Sequence, residues 1–385
     1  MEVYKLPIET AFIIFPLVAF LLTLPFLIHQ YRKYGAIPIL KSFIFYSLVL
    51  YLLVAYFLII LPLPTLEEIS KMTPREPQLI PFTFIKDILK TFPNNINSFS
   101  DILNLLNTSS IYTVIFNFLL TIPFGIYLRY FFNKKWYQTV LYSFLLSLFF
   151  ECTQLSGLYG IYPQAYRTFD VDDLMINTIG GLFGYFITPI LLCFLPTRKE
   201  LDKQSYEKGK KVTFLRRCIA LLIDIFCLAI LSFILKILFY NIEWNEYSTI
   251  IAIGIYYIVI PLCTKGQTIG KRVVSIKIES TKDILKWYQL ITRNLILSFL
   301  ILYPSVWVQK ITQEEIRAII STTIWIIQII NIAAYMKKDK NKERRFLYER
   351  ITHTKNISTI KYEIEEKNIS EEKEQNIKEK TKNTV

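Results

Sequence analysis

Histidine is nearly absent: the 385 residues contain two, His29 and His353. Two lone rings exclude an imidazole metal centre, which needs several converging on one ion. Cysteine is sparse too. Cys152, Cys193, Cys218, Cys227 and Cys263 form no CxxC pair, and all five lie in or beside apolar runs. That excludes a zinc site and a disulfide framework and leaves them as small membrane-buried residues. No cofactor motif stands out. Gly270-Lys271 has Lys265 where a phosphate loop needs its first glycine and Arg272 where it needs Ser or Thr. Charge is thin, at 19% of residues, against about 25% in an ordinary soluble domain. The net charge of +13 does not indicate nucleic acid, because its basic residues sit in short loops and a tail between apolar spans.

What the chain has in quantity is apolar sequence, 53% of residues, with 25 Tyr and 29 Phe. A bilayer crossing takes about 20 such residues as a helix. Nine stretches qualify or nearly do, at 8–30, 40–63, 110–132, 137–157, 173–195, 218–240, 247–264, 295–308 and 318–336. The predicted fold is an all-α integral membrane protein of about nine transmembrane helices, a five-helix bundle followed by a four-helix bundle. The eighth stretch is short and carries Pro304, which predicts a break or an extension into its neighbours. The first begins near Pro7 without a basic leader or cleavage site, so it is expected to stay as a helix.

Orientation follows from the basic loops. Arg32 and Lys33, then Arg129, Lys134 and Lys135, then Lys208 to Arg217, then Lys265 to Lys277 fall on one side if the N-terminus is outside and the C-terminus cytoplasmic. Opposite loops are poorer in Lys and Arg or carry acids, as at Glu243, Glu246, Glu314 and Glu315. Residues 65–108, with Pro74, Pro77, Pro81 and Phe82-Thr83-Phe84, read as an outward excursion at the membrane surface. The expected divisions are a transmembrane domain at 1–196, a basic cytoplasmic linker at 197–211, a second transmembrane domain at 212–357 and a disordered charged tail at 358–385.

Acids inside apolar spans are rare and mark function or a buried pair. The fourth span ends in Ser147-Leu-Phe-Phe-Glu151-Cys-Thr-Gln154, whose three polar residues share one helical face. After a glycine-containing loop comes Arg167-Thr-Phe-Asp170-Val-Asp172-Asp173, with Asn177 one turn on. Asp170, Asp173 and Asn177 share a face of a helix starting near Asp170, where the helix dipole favours carboxylates. Gly180 and Gly184 form a step that lets another helix approach closely.

With Asn117, Pro123 and Gly125 in the third span, this ordered set resembles the VanZ family, over roughly residues 10–195. The resemblance implies a bacterial cytoplasmic-membrane protein and a link to resistance against teicoplanin-type glycopeptides. Chemically, the acids near Arg167 have three uses. They bind a cationic or polyhydroxylated ligand, they hold a divalent cation through oxygens, or they are neutralised by Arg167 and lock two helices. No activated Ser, Cys or His nucleophile accompanies them, which sets catalysis behind binding.

The sixth span opens with Arg216-Arg217-Cys-Ile-Ala220-Leu-Leu-Ile-Asp224, placing Arg217, Ala220 and Asp224 on one face. Asp224 stands about 10 Å further along the axis, too far in to reach water with its short side chain. It is expected either to pair with Arg217 or Arg293 or to act as a protonatable transport site. The loop Gly266-Gln-Thr-Ile-Gly270-Lys271-Arg272 precedes the alternating Val273 to Ile278, and Arg345-Phe-Leu-Tyr-Glu349-Arg350 follows the ninth span. Lys271, Arg272 and Lys277 are expected to contact lipid headgroups. This set resembles an RDD domain over about 212–357, with Glu349 where that family usually has Asp. The resemblance implies ion transport as a proposed role.

The leading expectation is a non-enzymatic envelope protein without cofactor or metal. Its outward cluster, Glu151, Gln154, Arg167, Asp170, Asp173 and Asn177, would bind a cell-wall precursor or amphipathic glycopeptide and lower susceptibility to teicoplanin-like antibiotics. The alternative is an ion or small-molecule transporter working through Asp224. The lipid bilayer is the one partner common to both.

Overall fold

In lipid, every backbone N–H and C=O must be satisfied inside its own segment, so apolar runs of this length become helices. The computed structural model describes residues 2–73, 75–91, 108–240, 247–282, 284–337 and 344–360, and all nine apolar stretches are helical within it. Pro74, the loop with Glu243 and Glu246, and the tail beyond 360 lie outside the described residues.

Helices α1 (Glu2–Tyr34) and α2 (Ile39–Ile60) come first. The short α3 (Leu66–Lys71) and α4 (Thr83–Thr91) follow, α3 starting with a reciprocal Thr65–Glu68 capping box. Next are α5 (Ser109–Tyr130), α6 (Trp136–Leu155) and α7 (Val171–Leu191), then the polar α8 (Arg198–Gly209). The second half contains α9 (Phe214–Leu238), α10 (Ser248–Cys263), α11 (Ile269–Val273), α12 (Trp287–Leu302), α13 (Pro304–Val308), α14 (Glu314–Met336) and α15 (Leu347–Ile351). Among the described residues, six helices are long and apolar enough to cross a membrane, and α10 and α12 are shorter apolar helices. Large side chains such as Phe20, Phe43, Phe186, Phe233 and Ile329 stand exposed along them, a surface that lipid covers.

The eighth stretch does both things its sequence suggested. Its helix reaches back to Trp287, ends at Leu302, and Pro304 opens a separate turn. Wide π-type turns occupy Ile255–Val259 in α10 and Ile296–Leu302 in α12.

The all-α expectation has one small addition, an antiparallel ribbon of β1 (Ile276–Ser280) and β2 (Thr354–Ser358), with Ile276 opposite Ser358 and Ser280 opposite Thr354. Ile276 and Ile278 are buried, which matches their alternation in sequence.

Two compact units result, residues 1–23 with 38–202, and residues 24–37 with 203–385. In the first, α7 lies against α5 so closely that a Cβ on Gly180 would strike the Phe118 carbonyl and one on Gly184 the Ile122 carbonyl. That is the close approach the glycine step predicts. In the second, Ile219, Ala220, Val274 and Ile276 form a core with Tyr31.

Candidate functional site

In the first unit, α6 presents Ser147, Glu151 and Gln154 on one buried face, as their spacing requires. Asp170 is the N-cap of α7; its carboxylate accepts from the Asp172 backbone N–H at 2.8 Å. Glu151 and Asp170 meet through the backbone, the Asp170 N–H donating to Glu151 Oε2 at 3.0 Å. Asn177 donates to Ser147 Oγ at 2.9 Å, and Asn117 and Asp173 line the same cavity.

Arg167 does not neutralise these acids by pairing. Its guanidinium donates to the carbonyls of Ile59 (2.6 Å) and Leu61 (3.2 Å) at the end of α2, and Gln154 also donates to Ile59. A helix C-terminus leaves carbonyls without intrahelical partners, and those are what Arg167 and Gln154 satisfy. Among the described residues, Glu151 and Asp173 form no ion pair, with the guanidinium held nearby by carbonyls.

A cavity of about 670 Å³ brings together Glu151, Gln154, Arg167, Asp173 and Asn177. Asn117, Arg75, Thr168, Thr113 and Tyr112 add to its polar lining. Asp170 is not in the lining; its work is to cap α7 and hold Glu151. Asp172, which the sequence left among the cluster without a role, points elsewhere. It accepts from the N–H groups of Phe82 (2.6 Å) and Phe84 (3.0 Å) and from the Thr83 hydroxyl, tying the 78–84 segment to α7. Among the described residues, no group of three His, Cys, Asp or Glu is arranged to hold a metal ion.

In the second unit, Asp224 is 3% exposed and pairs with neither Arg217 nor Arg293. It accepts from Tyr256 Oη (2.7 Å), Thr268 Oγ1 (2.8 Å) and the Gly270 N–H (2.7 Å). A side chain at Gly270 would meet Asp224 Oδ1 at 2.6 Å, so glycine is required where the loop seats on α9. Both arginines converge instead on Glu349, Arg217 at 2.9 Å and Arg293 at 2.9 Å, with Asn356 donating to it at 2.8 Å. Burial by itself would raise the Glu349 carboxyl, but Arg293 and Arg217 outweigh it and hold it below its ordinary value.

Lys271 also departs from expectation. It is 8% exposed and faces the interior with Asp224, Arg217 and Arg293, whereas Arg272 stays on the surface. Burial and the nearby Arg293 lower its ammonium to about 7, against the opposing pull of Asp224 and Glu349. Arg216 shows what a loop-charge count misses. It is fully buried and donates to the carbonyls of Gly35, Gly209, Val274 and Ser275 and to the Ser358 hydroxyl.

Residues 43–192 match the VanZ/LLP1 family model, and residues 211–347 match the RDD family model. The chain is a VanZ-type segment fused to an RDD-type segment. Comparison with curated proteins and with solved structures gives no match. The VanZ segment contains every cavity residue named above, Arg75 and Asn117 included. The RDD segment contains Arg217, Asp224, Gly270, Lys271 and Arg293, while Glu349 lies just past its matched end. Chemically, the VanZ cavity offers carboxylates, guanidiniums and amides to a ligand rich in both donors and acceptors. Among the described residues, no group of acids, His or Cys in it is arranged to hold a metal. Thr168 and Arg75 carried no sequence signal of their own; their place follows from the loop and excursion folding over the ends of α2, α6 and α7.

Proposed function

We propose that the VanZ segment binds the polar part of an envelope amphiphile, a cell-wall precursor or a lipoglycopeptide, at the outer face of a bacterial cytoplasmic membrane. Binding there lowers susceptibility to teicoplanin-like antibiotics. The supporting observation is the lining of the 670 Å³ cavity, where Glu151 and Asp173 form no ion pair among the described residues while Arg167 is engaged by carbonyls. A sugar or amino-sugar head, or a peptide with both charges, matches such a mixture of acceptors and donors. A proton- or ion-exchanging Asp224 has less support, because three donors already occupy that carboxylate.

The test is resistance conferred on a susceptible bacterial host. Expression of the chain should raise the inhibitory concentration of teicoplanin. Glu151→Gln, which keeps an acceptor for the Asp170 N–H, and Arg167→Ala should each abolish that rise while the protein remains in the membrane. Full resistance in both variants would mean that the cavity residues only hold helices together.

A further inference from the structure

The RDD-type unit encloses a second cavity, of about 240 Å³, that the proposed glycopeptide role does not use. Most of its wall is hydrocarbon, with Leu221, Leu297, Ile301 and Ile332 prominent. Three cations and one carboxylate, Arg217, Arg293, Lys271 and Asp224, reach its lining. Arg217 and Arg293 have Glu349 as their shared partner, and Asp224 is occupied by neutral donors. Lys271 is different. Its Nζ is more than nine-tenths buried and has no hydrogen-bond partner among the described residues. Buried polar groups are almost always satisfied; Asp224 and Glu349 act on this ammonium through their charge, but no oxygen among the described residues accepts a hydrogen bond from it, which leaves a place for the head of an anion. With Lys271 protonated, Arg217, Arg293 and Lys271 face Asp224 and Glu349, three formal positive charges against two negative, an excess of one. The π-type turns of α12 carry Leu297 and Ile301 into the wall, and such widened turns commonly accompany binding sites.

We propose that this cavity binds a single-chain amphipathic anion, its carboxylate or phosphate head paired with Lys271 and its hydrocarbon chain lying against Leu221, Leu297 and Ile301. Free fatty acids and lysophospholipids share that chemistry. The anion head meets Lys271 from within a ring of Asp224 and Arg217 on α9, Arg293 on α12 and Glu349 on α15. Because the empty-site ammonium titrates at about 7, head-group pairing is strongest below that pH. Above it, affinity should fall about tenfold per pH unit, as one proton must be taken up. Lys271→Arg, which stays charged, should remove that fall.

The full chain in phosphatidylcholine nanodiscs provides the test, read as the unfolding midpoint while decanoate, lysophosphatidylglycerol or uncharged decanol is titrated. Either anion should raise the midpoint saturably, and decanol should not. Lys271→Met removes an unpartnered charge, so it should fold and lose about tenfold or more in anion affinity. Should Lys271→Met fail to fold, Ile301→Trp fills the cavity with Lys271 intact and should abolish the shift. A response to decanoate alone assigns a free fatty acid; a response to lysophosphatidylglycerol alone assigns a lipid head group. No shift with either anion, an equal shift with decanol, or an undiminished shift in the variants overturns the proposal.

Discussion

Arg217 and Arg293 come from different helices and share one carboxylate, Glu349, which is fully buried. Removing one member of a buried ionic set leaves the others desolvated and unpaired, at a cost of about 3–5 kcal/mol. Glu349→Gln keeps the shape and removes the charge, so the loss of stability in detergent should approach that range. The pH dependence has a definite sign. Glu349 is held below its ordinary value in the folded protein, so its contribution is present above the unfolded carboxyl value and is lost as pH falls through the depressed one. Unfolding midpoints measured from pH 7 downward should show a loss that Glu349→Gln lacks. Parallel curves for the two proteins would mean that another group controls acid stability.

The α5–α7 pair is the element on which the VanZ cavity depends, since Asn117 on α5 and Asp173 on α7 both line it. Gly184 has the Ile122 backbone where a side chain would go, whereas a Cβ at Gly254 meets nothing within 4 Å. Gly184→Ala must push two backbones apart and should cost about 1–3 kcal/mol. Gly254→Ala should be neutral or slightly stabilising, and thermal unfolding of the two purified variants compares them directly. A Gly184→Ala protein as stable as Gly254→Ala would refute the close packing. Much of this was legible in sequence, because lipid permits only one backbone solution and helical spacing fixes which side chains share a face. Spacing groups Glu151 with Gln154 on one helix and Asp170 with Asp173 and Asn177 on the next; that the two faces meet beside Arg167 is not contained in the spacing. Their partners were not legible. Arg167 and Gln154 bind carbonyls at the end of α2, and a carbonyl carries no residue-type signature. The competition between Asp224 and Glu349 for two arginines was equally hidden, since it turns on three neutral donors reaching Asp224 first. In β2, Thr354-Lys-Asn-Ile-Ser is too polar to announce a strand; pairing with β1 makes it one.

At the scale of the whole molecule, the two proposed binding sites depend on the membrane orientation in different ways. The orientation proposed from the basic loops has the N-terminus outside, and it would put the 65–73 segment outside and helix α8 in the cytoplasm. Single cysteines introduced into a cysteine-free chain test this in intact cells with a membrane-impermeant maleimide. Ser70→Cys, exposed on α3, should label at once; Lys208→Cys, exposed on α8, should label only after the cells are opened. The reverse pattern would put Glu151 and Arg167 on the cytosolic side, where an external glycopeptide has no access, and the resistance role would fall with it. The Lys271 cavity would survive that result, because its ammonium lacks a hydrogen-bond acceptor among the described residues whichever leaflet supplies the anion.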